Sequence, residues 1–444
     1  MKKIVLSTIT ALSIGAVTAT AMDIVHPHDR IEDKKALTQE ELINSIKQME
    51  AQLASMKSKV VIVKKPEKSF DEKSFMDKIH FKGDIRARYE SKEYEYSDGS
   101  DKKQYLGRYR LRLGLEADLT ENLHLEFGMR SGNANPTSGN QTFIQEETKN
   151  GVASTKSPRK GISSYFLNSL RVNVAGLSYE FGNSTLKVGR QPYMIYRPIK
   201  SQLIWDNDVS LDGINYQYKD SANIFTAGIN QTSLAEAASS KDDVNLAYAQ
   251  YVRKMKLENA KLNLGAGFYY YDGVKGNTSL YTSNKGSSMG NTMVDTAGVQ
   301  VKEDGTFKYD YHIAEAFAEL KYKDVFGKPF AVAAGMAYNT AASSKNFGYD
   351  LAAKLGKAKN VGDWQVKYSY TELQEDATLG AHSDSDNFGG GTAASGHAIR
   401  TKYKFGKNTY LAGTFFFNDR LASKDSKTDD TSYERVQLDL ILKF

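Results

Sequence analysis

From Ile79 to Phe444 the chain alternates in two ways: polar and apolar side chains along each segment, and short and long connections between segments. The last stretch is the clearest. Val436, Leu438, Leu440, Leu442 and Phe444 share one face of an extended segment; Arg435, Gln437, Asp439 and Lys443 share the other, with Ile441 the exception. Period-2 alternation gives a strand one apolar face and one wet face. An apolar strand with nothing after it is an open edge that invites aggregation. A closed barrel removes that edge by pairing the last strand with the first.

Similar segments recur upstream. Ile85, Ala87 and Tyr89 oppose Asp84, Arg86 and Arg88, and Tyr109, Leu111, Leu113 and Leu115 oppose Arg108, Arg110, Arg112 and Glu116. Leu123, Leu125, Phe127 and Met129 continue the pattern with Arg130 on the opposite parity. Further strands fall at 163–181, 185–191, 210–218, 222–230, 244–255, 260–271, 307–323, 329–341, 346–356, 363–373, 397–405, 409–418 and 432–444. The total is about sixteen, with soft boundaries; at Ala175-Gly176 the segment 163–181 could instead turn.

Connections such as 120–122, 182–184, 219–221, 256–259 and 406–408 are short. Those at 133–162, 192–209, 231–243, 272–306, 374–396 and 419–431 are long and mostly rich in Gly, Ser, Asn, Asp and Lys. Transmembrane barrels segregate short and long connections to opposite ends, and soluble sandwiches have no reason to. Many segments match the 9–11 tilted residues that cross a hydrocarbon core. Aromatics crowd the strand ends (Tyr89, Tyr105, Tyr165, Tyr270, Tyr311, Tyr368 and Phe415 among them), as interface girdles or simply as good strand formers. The expected fold is an all-β, closed antiparallel transmembrane barrel over 79–444.

Residues 1–21 read as a signal peptide: Lys2 and Lys3, then a moderately apolar core, then Ala19-Thr20-Ala21. A tail spans 22–37. Over 38–61 a capping box at Thr38–Glu41 precedes Leu42, Ile46, Met49, Leu53, Met56 and Val60 in a short heptad seam. That helix is a small periplasmic coiled coil, a helix packed on its own barrel, or a spacer; 62–78 is a linker. The formal charge of +6 is too small to argue for nucleic acid, and the absence of Cys excludes disulfides and thiolate metal sites. No Ser/His/acid set converges, so no catalytic residue, metal or cofactor is expected. His382 and His397 flank a Gly-rich connection carrying Asp384 and Asp386, which reads as a solvated external loop.

Two groups are candidates for the working surface. Arg86, Arg88, Arg108, Arg110, Arg112, Arg130, Arg171 and Lys187 fall on the inward phase. They form either a cationic wall that raises anion occupancy or a ladder neutralised by Asp84, Glu116 and Glu126. The connection 191–210 is too apolar to stand in water. Folded inward it would narrow a pore with Tyr196 and Trp205, setting Arg197 and Lys200 against Asp206 and Asp208. Packed on the barrel rim or a neighbouring subunit, it would not.

Phe81-Lys82-Gly83-Asp84-Ile85-Arg86-Ala87-Arg88-Tyr89, the 107–119 strand, Asn140-Gln141-Thr142-Phe143 and Leu203–Asp208 leading into Leu211–Ile214 resemble bacterial outer-membrane porins of the type labelled putative porin. The resemblance covers 79–444. It implies a sixteen-stranded diffusion channel in a Gram-negative outer membrane, trimeric, surrounded by lipid and passing small hydrophilic solutes and ions. It also implies that Phe444 is the aromatic end read by the barrel-assembly machinery. A substrate-selective channel for oxyanions such as phosphate, and a surface adhesin or structural envelope protein, are the alternatives.

Overall fold

The computed structural model describes residues 77–132, 135–153, 170–233, 243–281, 288–301, 304–420 and 431–444, together with Glu40, Ile43, Asn44, Lys47, Gln48, Glu50 and Ala51. Those seven are helical and exposed. The signal peptide, the tail, the heptad seam and nearly all of the linker lie outside the described residues. Residues 1–70 form a unit separate from 71–444.

In the second unit, sixteen antiparallel strands close into a ring. They are β1 (Ile79–Tyr96), β2 (Asp101–Asp118), β3 (Leu123–Ser131), β4 (Leu170–Phe181), β5 (Ser184–Pro192), β6 (Ser210–Lys219), β7 (Asn223–Ser233) and β8 (Val244–Lys256). Next come β9 (Ala260–Asp272), β10 (Tyr311–Val325), β11 (Lys328–Asn339), β12 (Phe347–Gly356), β13 (Trp364–Leu373), β14 (Ala394–Lys404), β15 (Thr409–Arg420) and β16 (Thr431–Lys443). Each pairs with its neighbours in sequence, and β16 pairs with β1 from Asp84↔Lys443 to Tyr96↔Thr431. Gly83 and Phe444 extend that seam by exchanging backbone hydrogen bonds of 2.8 and 3.1 Å. A Cβ on Gly83 would lie 2.6 Å from Phe444 Cζ, so the terminal ring needs a glycine beneath it.

The faces sort as the alternation requires. In β16, Tyr433, Arg435, Gln437 and Asp439 are buried inside, while Val436, Leu438, Leu440 and Leu442 are exposed outside. Ile85, Leu113, Phe127, Leu177, Val188, Ile214, Ile229, Leu264, Met336, Leu351 and Leu411 join that outer belt. Tyr89, Tyr270, Tyr338, Tyr368, Trp364, Tyr403 and Phe415 add exposed aromatics to it. Other strand-end aromatics turn inward instead: Tyr269, Tyr271 and Tyr311 are fully buried in the interior.

Several boundaries differ from the sequence reading. β1 and β2 each run 18 residues and meet across a tight turn at 97–100. Their upper halves are polar on both faces, with Lys103 Nζ donating to Glu93 at 2.9 Å, so apolar alternation could not reveal them. β4 passes through Ala175 and Gly176 without turning. β3 stops at Ser131, and Gln141–Lys149 takes up its line against the upper part of β2.

Candidate functional site: the barrel interior

The wall built by β1, β2, β3 and β16 carries the arginines, and the structure brings them together with acids rather than leaving them bare. Arg88 grips Asp439 with Nε and Nη2 at 2.6 and 2.8 Å. Arg435 donates to Glu90 at 2.7 Å, and Arg108 and Lys92 approach the same carboxylate at 3.4 and 3.1 Å. Arg110 donates to Asp84 at 2.6 Å, and Arg112 stands 3.7 Å from it. Lys187 donates to Glu126 at 3.0 Å. Arg171 shares the inward phase but is exposed, without an ion pair among the described residues. Asp84 and Glu126 do neutralise part of the wall, while Glu116 binds Lys82. Sequence reasoning missed the main partners, Glu90, Asp439 and Arg435, although their inward parity was readable.

The 192–209 connection crosses the interior. It leaves β5 and reaches the opposite wall, where Tyr196 exchanges backbone bonds with the Gln250 amide of β8 at 2.8 and 2.9 Å. The Tyr196 hydroxyl donates to Glu319 of β10, and its ring stacks on Phe317 at 5.8 Å. A Cβ on Gly265 would lie 2.1 Å from Phe317 Cζ, so that glycine lets the Phe317 ring lie flat under the loop. Ile199 N–H donates to Glu319 at 3.1 Å, Ser201 donates to Asp350 of β12 at 2.5 Å, and Lys367 of β13 donates to the Ile199 carbonyl at 3.1 Å. Trp205 is 1% exposed, packed against Tyr193, Tyr269, Tyr271 and His382. Apolar burial drives this insertion, with Ile195, Ile199, Leu203, Ile204 and Val209 also buried.

The internal charge arrangement of this loop differs from the expected one. Arg197 does not face Asp206 or Asp208. It caps its own loop, donating to the Ser201 and Trp205 carbonyls at 3.0 and 2.9 Å and to Asn207 at 2.6 Å. Lys200 is exposed, at a positive φ of 57°. Asp206 is buried, accepting from the N–H groups of Asp208 and Ser385 at 2.8 and 2.9 Å. Burial, with Asp208 and Asp384 nearby, pushes its carboxyl well above the usual range. Asp208 alone turns to the arginine wall, accepting from Arg112.

The 374–393 connection contradicts the solvated-loop reading: it too is folded inside. Asp376, Thr378, Leu379, His382, Ser383 and Thr392 are at most 1% exposed. Asp384 accepts from Arg400 at 3.1 Å. Asp386 accepts from Arg435 at 2.9 Å and Arg88 at 3.3 Å. Burial alone would raise the Asp386 carboxyl, but Arg435, Arg88, Arg86 and Arg108 hold it well below the usual range. His382 sits between the hydroxyls of Tyr271 at 2.9 Å and Tyr281 at 2.6 Å, and burial pushes its imidazole down to about 3. The long connection before β10 packs against this loop, the Asn291 amide donating to the Glu375 and Thr378 carbonyls at 2.7 and 2.8 Å. Asp376, His382, Asp384 and Asp386 find their partners on distant strands or loops, which no local sequence signal could announce.

A lipid-facing ring around a charged interior, crossed by an inward loop, defines an outer-membrane channel of the porin class. The putative porin family model matches residues 96–308 and 306–444, and the chain belongs to that family. No curated protein matches the sequence. Among solved structures, OprB of Pseudomonas putida at high pH aligns with a TM-score of 0.52 at 13% identity, over 84% of this chain and 96% of that one. That likeness is one of fold. OmpF of Salmonella typhi, in complex with daunomycin, aligns at a TM-score of 0.46 and 12% identity over 82% and 97%. A loop-deletion variant of OmpT from Vibrio cholerae aligns at 0.44 and 11% over 82% and 99%.

Proposed function

We propose that the barrel is a water-filled channel for passive diffusion of small hydrophilic solutes and ions, leaning toward anions. The observation that carries this reading is the interior of the β1–β3 and β16 wall. Seven guanidinium groups (Arg86, Arg88, Arg108, Arg110, Arg112, Arg130 and Arg435) and the Lys82 and Lys92 ammonium groups face seven carboxylates there: Asp84, Glu90, Glu116, Glu126, Asp208, Asp386 and Asp439. A wall with more cations than anions raises the local anion concentration. The 192–209 loop, with Tyr196, Arg197, Lys200, Trp205, Asp206 and Asp208, is the proposed constriction. A substrate-selective oxyanion channel is the second reading, favoured by the same cation excess.

Planar-bilayer recording in a salt gradient tests the main reading: discrete conductance steps with a reversal potential on the anion side are expected. Cation preference would overturn the lean, and failure of sugars to permeate liposomes would favour an adhesin or structural envelope role over a channel. We also propose a cleaved signal peptide, a homotrimer in outer-membrane lipid and recognition of Phe444 by the barrel-assembly machinery, on the family resemblance. Phe444→Ala lowers the yield of folded barrel in the outer membrane if that recognition holds.

A further inference from the structure

Beside the base of the 192–209 loop the arginine wall opens into a cavity of about 410 Å³, lined among others by Lys82, Arg112, Arg130, Asn173, Asn207 and Asp208. Gly114 of β2 and Gly128 of β3 pair across its floor on inward-facing positions, and the Lys82 and Val174 side chains lie over them.

Its lining sets Lys82, Arg112, Arg130 and Lys443 against Asp84, Glu126 and Asp208, and Glu126 is held by Lys187 at 3.0 Å. The Asp84 carboxylate is taken by Arg110 at 2.6 and 3.2 Å. Arg86 is 9% exposed; its Nη2 donates to Asn140 at 2.5 Å, Asp439 is 3.8 Å away, and its Nε meets no acceptor. Arg130 satisfies itself on the carbonyls of Asn135, Pro136 and Asp208 and binds no carboxylate. Asp208, held by Arg112, is thus the acid that the loop lends to this group. Burial would raise the Asp208 carboxyl, yet Arg112, Arg110, Arg130 and Arg86 together keep it below the usual range. Arg112 therefore holds a carboxylate that stands on a loop rather than on the wall.

We propose that this recess is a binding site for a small tetrahedral oxyanion, and that the Asp208 carboxylate occupies the anion's place until one arrives. The planar guanidinium fork matches two oxygens of such an anion, and the nearby Asn173 and Asn207 amides can donate to the others. A doubly charged oxyanion competes with a single carboxylate for the same donors. The site deepens the reading of the interior as a solute path and rests on it.

The full-length protein, folded in detergent, is titrated calorimetrically with inorganic phosphate near neutral pH, which requires no conduction. Asp208→Asn, which removes the competing charge and keeps the shape, should tighten phosphate binding about tenfold. Adding Arg112→Gln in that background should weaken it at least tenfold. A gain of affinity cannot arise from misfolding, so the first variant is decisive even if the second folds poorly. No saturable binding by the Asp208→Asn protein, or equal affinity with and without Asp208, overturns the site. A barrel that conducts ions but fails this titration loses the site and keeps its porin role. Phosphate binding without conductance in bilayers would do the reverse.

Discussion

The two interior loops reach similar burial by different means. The 192–209 loop is apolar and inserts Ile195, Ile199, Leu203, Ile204 and Trp205. The 374–393 loop is rich in Gly, Ser and Asp, yet Asp376, His382, Ser383 and Thr392 are as fully enclosed as Trp205. The first is driven by expulsion of water from hydrocarbon; the second buries Leu379 and Phe388 in the same cluster and adds the pairing of buried polar groups with the wall. The loops meet where Asp206 N–H donates to the His382 carbonyl at 2.7 Å and Trp205 stacks on the His382 ring at 5.4 Å. Solvent conditions should therefore separate them: acid works against the polar loop through His382 and in favour of the apolar loop through Asp206.

The largest expected effect comes from the apolar anchor. Trp205→Ala empties the centre of the cluster and should cost about 3–5 kcal/mol of loop anchoring, read as a larger and noisier unitary conductance. Asp386→Ala strikes the polar loop by removing a shared partner of buried Arg88 and Arg435, at about 3 kcal/mol. It should loosen 374–393 while the Tyr196 and Ser201 contacts of the other loop persist, which proteolytic protection of each loop can distinguish.

Acid gives the next contrast. The His382 imidazole, lowered from 6.5 to about 3, stays neutral in the folded loop while the released loop takes up a proton. Its contribution is fully present above pH 6.5 and declines as pH falls from 6.5 toward 3, by about tenfold in the closed-to-open ratio per pH unit. Acidification should therefore favour opening of 374–393, and His382→Phe should flatten that dependence in conductance recordings. Asp206 works in the opposite sense. Its raised carboxyl favours the folded loop at low pH and loses that benefit as pH rises through its folded value. A smaller effect is expected of Gly265→Ala: the added methyl pushes Phe317 against Tyr196, for about 1–3 kcal/mol by overpacking. The effect should appear in thermal unfolding. Smallest is Lys345→Ala, which removes an ion pair to Glu375 whose lysine is 55% exposed, worth at most about 1 kcal/mol.

The same contrast explains what could be read from the chain. The strands were legible because lipid and lumen impose period 2, and the β1–β16 seam followed from the alternation of Val436–Phe444. The 192–209 loop was legible because Trp205, Ile204 and Leu203 have no business in water. Illegible were the upper halves of β1 and β2, polar on both faces, and the 374–393 loop, whose partners Arg88, Tyr271, Asn291, Arg400 and Arg435 are scattered across the sequence. Parity put Arg86, Arg88 and Arg108 on one strand face. It could not say that Asp439 and Glu90 would meet them, because strand register and loop position decide that. The expected pairing of Arg197 with Asp206 and Asp208 failed for a related reason, since nearby carbonyls of the same loop claimed the guanidinium first.

Whether the 192–209 loop spans the interior is the central question, and cysteine cross-linking answers it most directly. The chain has no native cysteine, so a single engineered pair reports without competition. Ser201 Oγ and Asp350 Oδ2 are 2.5 Å apart, on the loop and on β12 of the opposite wall. In the double variant Ser201→Cys, Asp350→Cys, folded into the outer membrane and mildly oxidised, a disulfide within one chain should form and shift gel mobility until reduced. Free thiols that persist at both positions in a correctly folded barrel would place the loop elsewhere and contradict the account.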